Sequence, residues 1–321
     1  MSEQSVTRGK RRRRFRIRPL KKEYLLGKIH IRDSQFFIRK IPTNLLSLTL
    51  TRPPTPKDKI YVEKRDGERR LLWEDYEGYL EFMGRILKGL FRATKEGGFA
   101  IFSVQNDPIL DEEENITGYY PMVGDLISIA RQIGWNLWDE VIIVSIPEKS
   151  QSKLIHLAPN VQNSLIHSHL IVLKRGEKNR RCKGKRRPHY LNSVWTIDGF
   201  TKVDIDGTLY EQFSEHLVKR ALSLWSCPRD VIFDPFAGTG EVVRIAQRYR
   251  RFAFGVEINP NYKEYWSDIF DINELETLEE ENKKSVEEVE PSQDDSEKEK
   301  NENGEEIFEE EEFVSTNEDD N

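Results

Sequence analysis

Val231-Ile232-Phe233-Asp234-Pro235-Phe236-Ala237-Gly238-Thr239-Gly240 is the stretch on which the fold turns. Its three leading apolar residues make a short buried strand. The turn behind them carries glycines at 238 and 240, and Glu241 to Gln247 then has helical spacing. The glycines let the backbone pass close under a ligand, and the helix start presents free N–H groups. Strand, glycine turn and helix form the first half of a nucleotide-binding unit. A second strand, Phe252-Ala253-Phe254-Gly255-Val256, follows at once and ends in Glu257. An acidic residue at that strand end is placed to accept hydrogen bonds from ribose hydroxyls. The dinucleotide pattern G-x-G-x-x-G is not completed, because Val243 stands where the third glycine belongs.

Working outward, the apolar residues of Ile41 to Leu50 predict a strand that runs into Thr51-Arg52-Pro53-Pro54-Thr55. Trp73 to Thr94 has helical spacing, with Tyr79, Leu80, Met83, Ile86, Leu87, Leu90 and Phe91 on one side. Gly97-Gly98 and a strand over Phe99–Val104 come next. The polar, acidic run from Asp107 to Tyr120 reads as a loop able to close over a site, with Tyr119 and Tyr120 as candidate base-stacking residues. A helix over Asp125–Ile133 with Gly134 as its cap and a strand over Asp139–Val144 complete this region. His167 to Lys174 is a further strand. Its two histidines lack an evident third partner, so no metal site is assigned.

The succession DPFAGTG, helix, GVEINPNY resembles the S-adenosylmethionine site of the DNA methyltransferases that modify exocyclic amines of cytosine or adenine. The resemblance covers roughly residues 40 to 270, with the catalytic loop first and the cofactor loop last. It implies a three-layer, Rossmann-like α/β fold with a mostly parallel twisted sheet, and S-adenosyl-L-methionine as cofactor. Asp234, Pro235, Phe236, Ala237, Gly238, Thr239 and Gly240 then form the cofactor loop. Glu257 and Asn259 belong to the ribose-binding strand end, and Phe213 packs on the methionine end of the cofactor. The Val194-Trp195 pair and the Phe213-Ser214-Glu215 run match further landmarks, although serine replaces the family's proline at 214.

The resemblance makes Pro53, Pro54 and Thr55 the catalytic loop. In that family an acid, Asn or Ser precedes Pro-Pro and an aromatic follows. The side chain and a proline carbonyl accept the hydrogens of the target amine, and the aromatic stacks on a flipped base. Here Arg52 replaces the acceptor and Thr55 the aromatic. Arginine donates hydrogen bonds only. A binding module that keeps the fold without turnover, and an RNA methyltransferase, therefore stand beside the DNA-methylating reading.

Charge is strongly polarised along the chain. The 321 residues carry a net charge of −6, yet residues 273–321 hold 22 acidic against 4 basic side chains, which leaves the remainder at +12. The folded part is basic, so the whole-chain balance does not exclude nucleic acid, here duplex DNA, as partner. Residues 1–22 contain ten Lys/Arg and one acid, which predicts a disordered basic arm suited to phosphates. Residues 174–190, with nine Lys/Arg and one acid, predict an exposed basic loop for target contact. These bounds place the methyltransferase domain at 23–271 and a disordered acidic tail at 272–321, with Phe308 and Phe313 as a docking point for a protein partner. No apolar run reaches the length of a membrane span, and no apolar core follows the basic start. Cys182 and Cys227 are too few for a disulfide framework, and a cytoplasmic, reducing setting is expected.

Overall fold

Alternation of side chains along the strands decides the layering. A computed structural model describes residues 18–58, 60–63, 69–113, 115–144, 167–180, 182, 191–197, 200–205 and 208–269. Eight strands form one sheet: β1 Ile29–Ile31, β2 Leu46–Thr51, β3 Thr94–Val104, β4 Trp135–Val144, β5 His167–Arg175, β6 Val194–Thr196, β7 Val231–Asp234 and β8 Phe252–Glu257. Their order is β1-β8-β7-β2-β3-β5-β4-β6. All neighbours are parallel except at β5, which runs against both β3 and β4.

Phe233, Phe254, Phe102 and Ala100 bury on one face, under α1 Lys22–Leu25, α2 Ser34–Ile38, α3 Tyr76–Ala93 and α4 Met122–Ile133. Ile232, Ala253 and Ile101, each displaced by one position, bury on the other, under α5 Glu215–Trp225 and α6 Glu241–Arg248. The period of two thus feeds two cores, and strands buried on both sides read as continuous apolar runs. The three-layer α/β arrangement is the one expected. Helix α3 contains Gly78, Gly84 and Gly89, each costing about 1 kcal/mol of helix propensity. Its buried Tyr79, Phe82, Met83, Ile86, Leu87 and Leu90 each contribute about 2 kcal/mol by leaving water, so packing rather than propensity holds it. Asp75 caps its start, accepting from the Gly78 amide at 2.7 Å.

Several boundaries differ from the sequence reading. The strand expected from Ile41 begins at Leu46, because Asn44 turns the chain with φ 59°. Strand β3 starts at Thr94 and runs through Gly97 and Gly98, with a register shift against β2 between Leu46 and Leu48. β4 likewise begins four residues early, at Trp135, directly after the Gly134 cap with φ 114°. The acidic run is a hairpin, Asp107–Leu110 paired with Ile116–Tyr120. Tyr120 stacks on Tyr76 with centroids 4.6 Å apart, which gives it a packing contact within the fold.

The basic segment after β5 is only partly exposed. Lys174 is buried in the strand, bonds Asn179 at 2.7 Å and lies over Trp138. Arg175 bonds Asn44 and the Thr94 carbonyl, and Arg180 pairs with Asp230. Cys182 and Cys227 are joined in a disulfide with their Cα atoms 5.4 Å apart, which the sequence reading did not anticipate. Residues 1–17 of the expected arm, residues 181 and 183–190 of the loop, and the expected tail lie outside the described residues. Among the described residues no helix is long and apolar enough to cross a membrane.

Candidate active site

Parallel strands present their carboxyl ends on one edge of the sheet, and ligands of open α/β folds bind there. At this edge β7, flanked by β8 and β2, opens into a cavity of about 1030 Å³. Its lining includes Pro53, Pro54 and Thr55 after β2, Asp234 to Thr239 after β7, and Glu257 and Asn259 at the end of β8. Phe213 joins them from the strand preceding α5. Every residue assigned to the cofactor and catalytic loops therefore faces one space, except Gly240, whereas Tyr119 and Tyr120 do not line it. Gly240 caps α6 with φ 84°, its amide donating to the Ala237 carbonyl at 2.8 Å.

The glycine loop is held from three sides. The Glu257 carboxylate accepts from the Gly238 amide at 2.7 Å, from Ile258 at 2.8 Å and from Asn259 at 2.9 Å. The Trp266 indole donates to the Gly238 carbonyl at 3.0 Å, and the Thr239 hydroxyl donates to Gln212. Gly238 has φ 49°, and a Cβ built there would meet nothing within 4 Å, so the space above it is open. Asp234 ties this loop to the neighbouring strand end. Its Oδ1 accepts from the Thr51 hydroxyl at 2.6 Å and from the Phe236 amide at 3.0 Å. Ser34 of α2 donates to the Pro235 carbonyl.

Burial raises the Asp234 carboxyl to about 7, against the bonds from Thr51 and Phe236, and the charge of Glu257 adds to the rise. Burial also raises Glu257, against its three backbone donors. Two consequences follow with opposite sign. The folded carboxyls hold protons more tightly than unfolded ones, so their contribution to stability is full below the unfolded values and is lost as pH rises, through about 7 for Asp234. A cationic ligand needs them ionised. With Asp234 ionised above about 7, affinity for the S-adenosylmethionine that the resemblance implies is expected to level off there and to fall by up to about tenfold per pH unit below it. Calorimetric titration between pH 5 and 8.5 reads this, and a pH-independent affinity would refute it.

Arg52 reaches Glu211 at 2.8 Å and lies over the Phe200 ring at 5.0 Å. Both partners belong to a hairpin, Phe200–Ile205 with Thr208–Phe213, that the sequence reading missed. This hairpin also supplies Lys202, Tyr210 and Gln212 to the cavity wall. A signal was present in Asp206-Gly207 between alternating residues, a strong marker of a two-residue turn. Ser214, where a proline was expected, caps α5 by accepting from the Leu217 amide at 3.2 Å. Of the two histidines, His169 pairs with Glu140 at 2.7 Å.

A family model for N6- and N4-type DNA methylases matches residues 55–268. The chain belongs to this DNA methylase family. The family's reaction is transfer of a methyl group from S-adenosylmethionine to an exocyclic amine of DNA. The methylase is 24% identical over 249 residues to the orphan methyltransferase M.BamHII of Bacillus amyloliquefaciens, covering 68% of this chain and 85% of that one. It is 21% identical over 250 residues to the type II methyltransferase M.BglII of Bacillus subtilis, covering 74% and 67%. In fold it is similar to the putative DNA modification methylase TTHA0409 of Thermus thermophilus, solved with S-adenosyl-L-methionine, at TM-score 0.57, 20% identity and coverage of 75% and 91%. The cytosine-N4-specific PvuII DNA methyltransferase aligns at TM-score 0.58 and 14% identity, covering 82% and 95%.

Proposed function

We propose that the methylase binds S-adenosylmethionine in the larger cavity and methylates N4 of cytosine or N6 of adenine in duplex DNA. The observation that carries this is the convergence of the glycine loop, Glu257 and the Pro53-Pro54 loop on one space at the strand ends. Its donor set fits the cofactor. The open backbone above Gly238 admits a ligand, Glu257 offers a carboxylate to the ribose hydroxyls, and Asp234 places negative charge near a sulfonium. Phe213 and Phe236 give the same wall apolar surface. When bound, the cofactor supplies an electrophilic methyl group. The Pro53 carbonyl orients the amine, since consecutive prolines fix the backbone that carries it.

Residues 23–271 form the catalytic domain in this reading. The basic arm over 1–22 and the basic residues of 174–190 other than Lys174, Arg175 and Arg180 contact phosphates, and their contribution falls steeply with salt. The acidic tail over 272–321 docks a protein through Phe308 and Phe313. A cytoplasmic location goes with a DNA substrate.

The experiment titrates the purified chain with S-adenosylmethionine, then adds labelled cofactor with mixed-sequence duplex DNA or RNA. Binding and transfer to DNA are expected. Transfer confined to RNA overturns the substrate. Absence of binding, equal to that of a Gly238→Asp control, overturns the cofactor site.

A further inference from the structure

The residue at the acceptor position of the proline loop cannot do the acceptor's work. Arg52 has donors only, and its guanidinium is engaged by Glu211 and Phe200, away from any amine. A substitute has to be a lone-pair-bearing side chain close to Pro53, at the carboxyl edge of the sheet, with an oxygen left over for a ligand.

A second cavity of about 460 Å³ adjoins the first, and both share Arg52, Pro53 and Thr55. Asp107 and Ser168 line it. Asp107 stands three residues beyond the end of β3, whose Phe102 pairs with Thr51 immediately before the proline loop. The Thr55 side chain stands near the Asp107 carboxyl and lowers it. Asp107 Oδ2 is buried and has no hydrogen-bond partner, and the same is true of Ser168 Oγ. Buried polar atoms are nearly always paired, so the Asp107 carboxyl and the Ser168 hydroxyl stand incompletely satisfied beside this cavity, although these two atoms are shut off from solvent in the free chain.

Resting on the function proposed above, we propose that Asp107 is the catalytic acceptor: a base turned out of the duplex enters this second cavity and bonds its exocyclic amine to the Asp107 carboxylate that lines it. The amine nitrogen lone pair forms the new N–CH3 bond as the methyl–sulfur bond breaks, and that bond's electron pair stays on sulfur. The nitrogen then carries one proton too many, which passes to the Asp107 carboxylate and from there to water. Thr55 holds the carboxyl, which gives the residue in the family's aromatic position a task of its own. Ser168 faces the ring edge of the base.

Charged and titratable groups surround Asp107. Burial raises its carboxyl, while the Thr55 bond, Lys57 and Arg52 lower it and Asp58 raises it. Tyr79 of α3 faces it too, and His167, Lys202 and Glu211 line the same cavity. Only the ionised carboxylate accepts the proton, so transfer rises with pH as Asp107 ionises.

The test uses the full chain with saturating S-adenosylmethionine and mixed-sequence duplex in single turnover. Asp107→Ala is expected to slow transfer about 10²- to 10³-fold, the range for removal of one catalytic polar group. Its affinities for the cofactor and for duplex stay at the wild-type values, which also shows that it is folded. Asp107→Asn keeps an accepting oxygen but takes no proton, so its rate falls between the two and loses the acid limb of the pH profile. Wild-type transfer by Asp107→Ala overturns the assignment and leaves the function standing. A parallel loss of cofactor affinity also overturns it, since the role is then structural. A wild-type chain that binds cofactor and duplex yet transfers no methyl overturns the function and this assignment together.

Discussion

Glu257→Ala is expected to weaken S-adenosylmethionine binding by a factor above about 100, the largest effect on the cofactor of any single substitution in the wall. A hydrogen bond to a charged group contributes about 1.5–3 kcal/mol, and a ribose offers two hydroxyls to one carboxylate. Losing both removes about 3 kcal/mol or more, at about 1.4 kcal/mol per factor of ten. In the free protein the same carboxylate accepts from Gly238, Ile258 and Asn259, so alanine also unties the glycine loop. Glu257→Gln separates the two roles. It keeps one accepting oxygen for the loop amides and lacks the charge, so its affinity should lie between those of wild type and alanine. Calorimetry reads the affinities, and thermal melts report on the loop. Unchanged affinity in Glu257→Ala would remove the ribose assignment.

Gly240→Val should be the most damaging change to the fold near the site. Its φ of 84° is costly for a β-branched residue, about 1–3 kcal/mol. A Cβ there would lie 2.7 Å from Ile29 Cδ1 and 2.8 Å from Ile269 Cδ1, with Trp266 at 3.2 Å. Overpacking of this kind costs about 1–3 kcal/mol more. Together these lower the melting temperature by roughly 5–20 °C for a domain of this size. Gly238→Ala is the control, because it shares a positive φ of 49° but meets nothing within 4 Å. Its loss should be confined to strain, with a melt close to wild type. Equal melts for Gly240→Val and wild type would show that the neighbouring side chains move aside without cost.

What could be read from the chain alone was whatever local chemistry determines. The glycine turn, the Gly134 cap and the apolar stripe of α3 obey rules that span a few residues, and each stands where it was read. Strand starts were less legible. The fate of Ile41 to Leu45 depends on a left-handed Asn44, and β3 takes up Gly97 and Gly98 because Ser47 and its neighbours in β2 allow a register shift. Lys174 looked like surface because nothing in its neighbourhood announces the Trp138 ring and Asn179 amide that bury it. The site divided in the same way. Asp234, Gly238 and Glu257 come in a compact motif, whereas Asp107 gains meaning only when β3 and β2 lie side by side.

The edge strand β1 was not read at all, since three residues with two isoleucines carry almost no periodic signal. Its pairing with β8, Ile29 opposite Gly255 and Ile31 opposite Glu257, sets a timetable for synthesis. The strand leaves the ribosome among the first described residues, and its partner emerges more than two hundred residues later. At typical elongation rates that interval is on the order of ten to fifty seconds. Throughout it the nascent chain lacks the strand that carries Glu257, and β1 has no neighbour. Closure of the sheet at that edge therefore belongs to the last act of folding, and a chaperone that shields short apolar segments would find its client here.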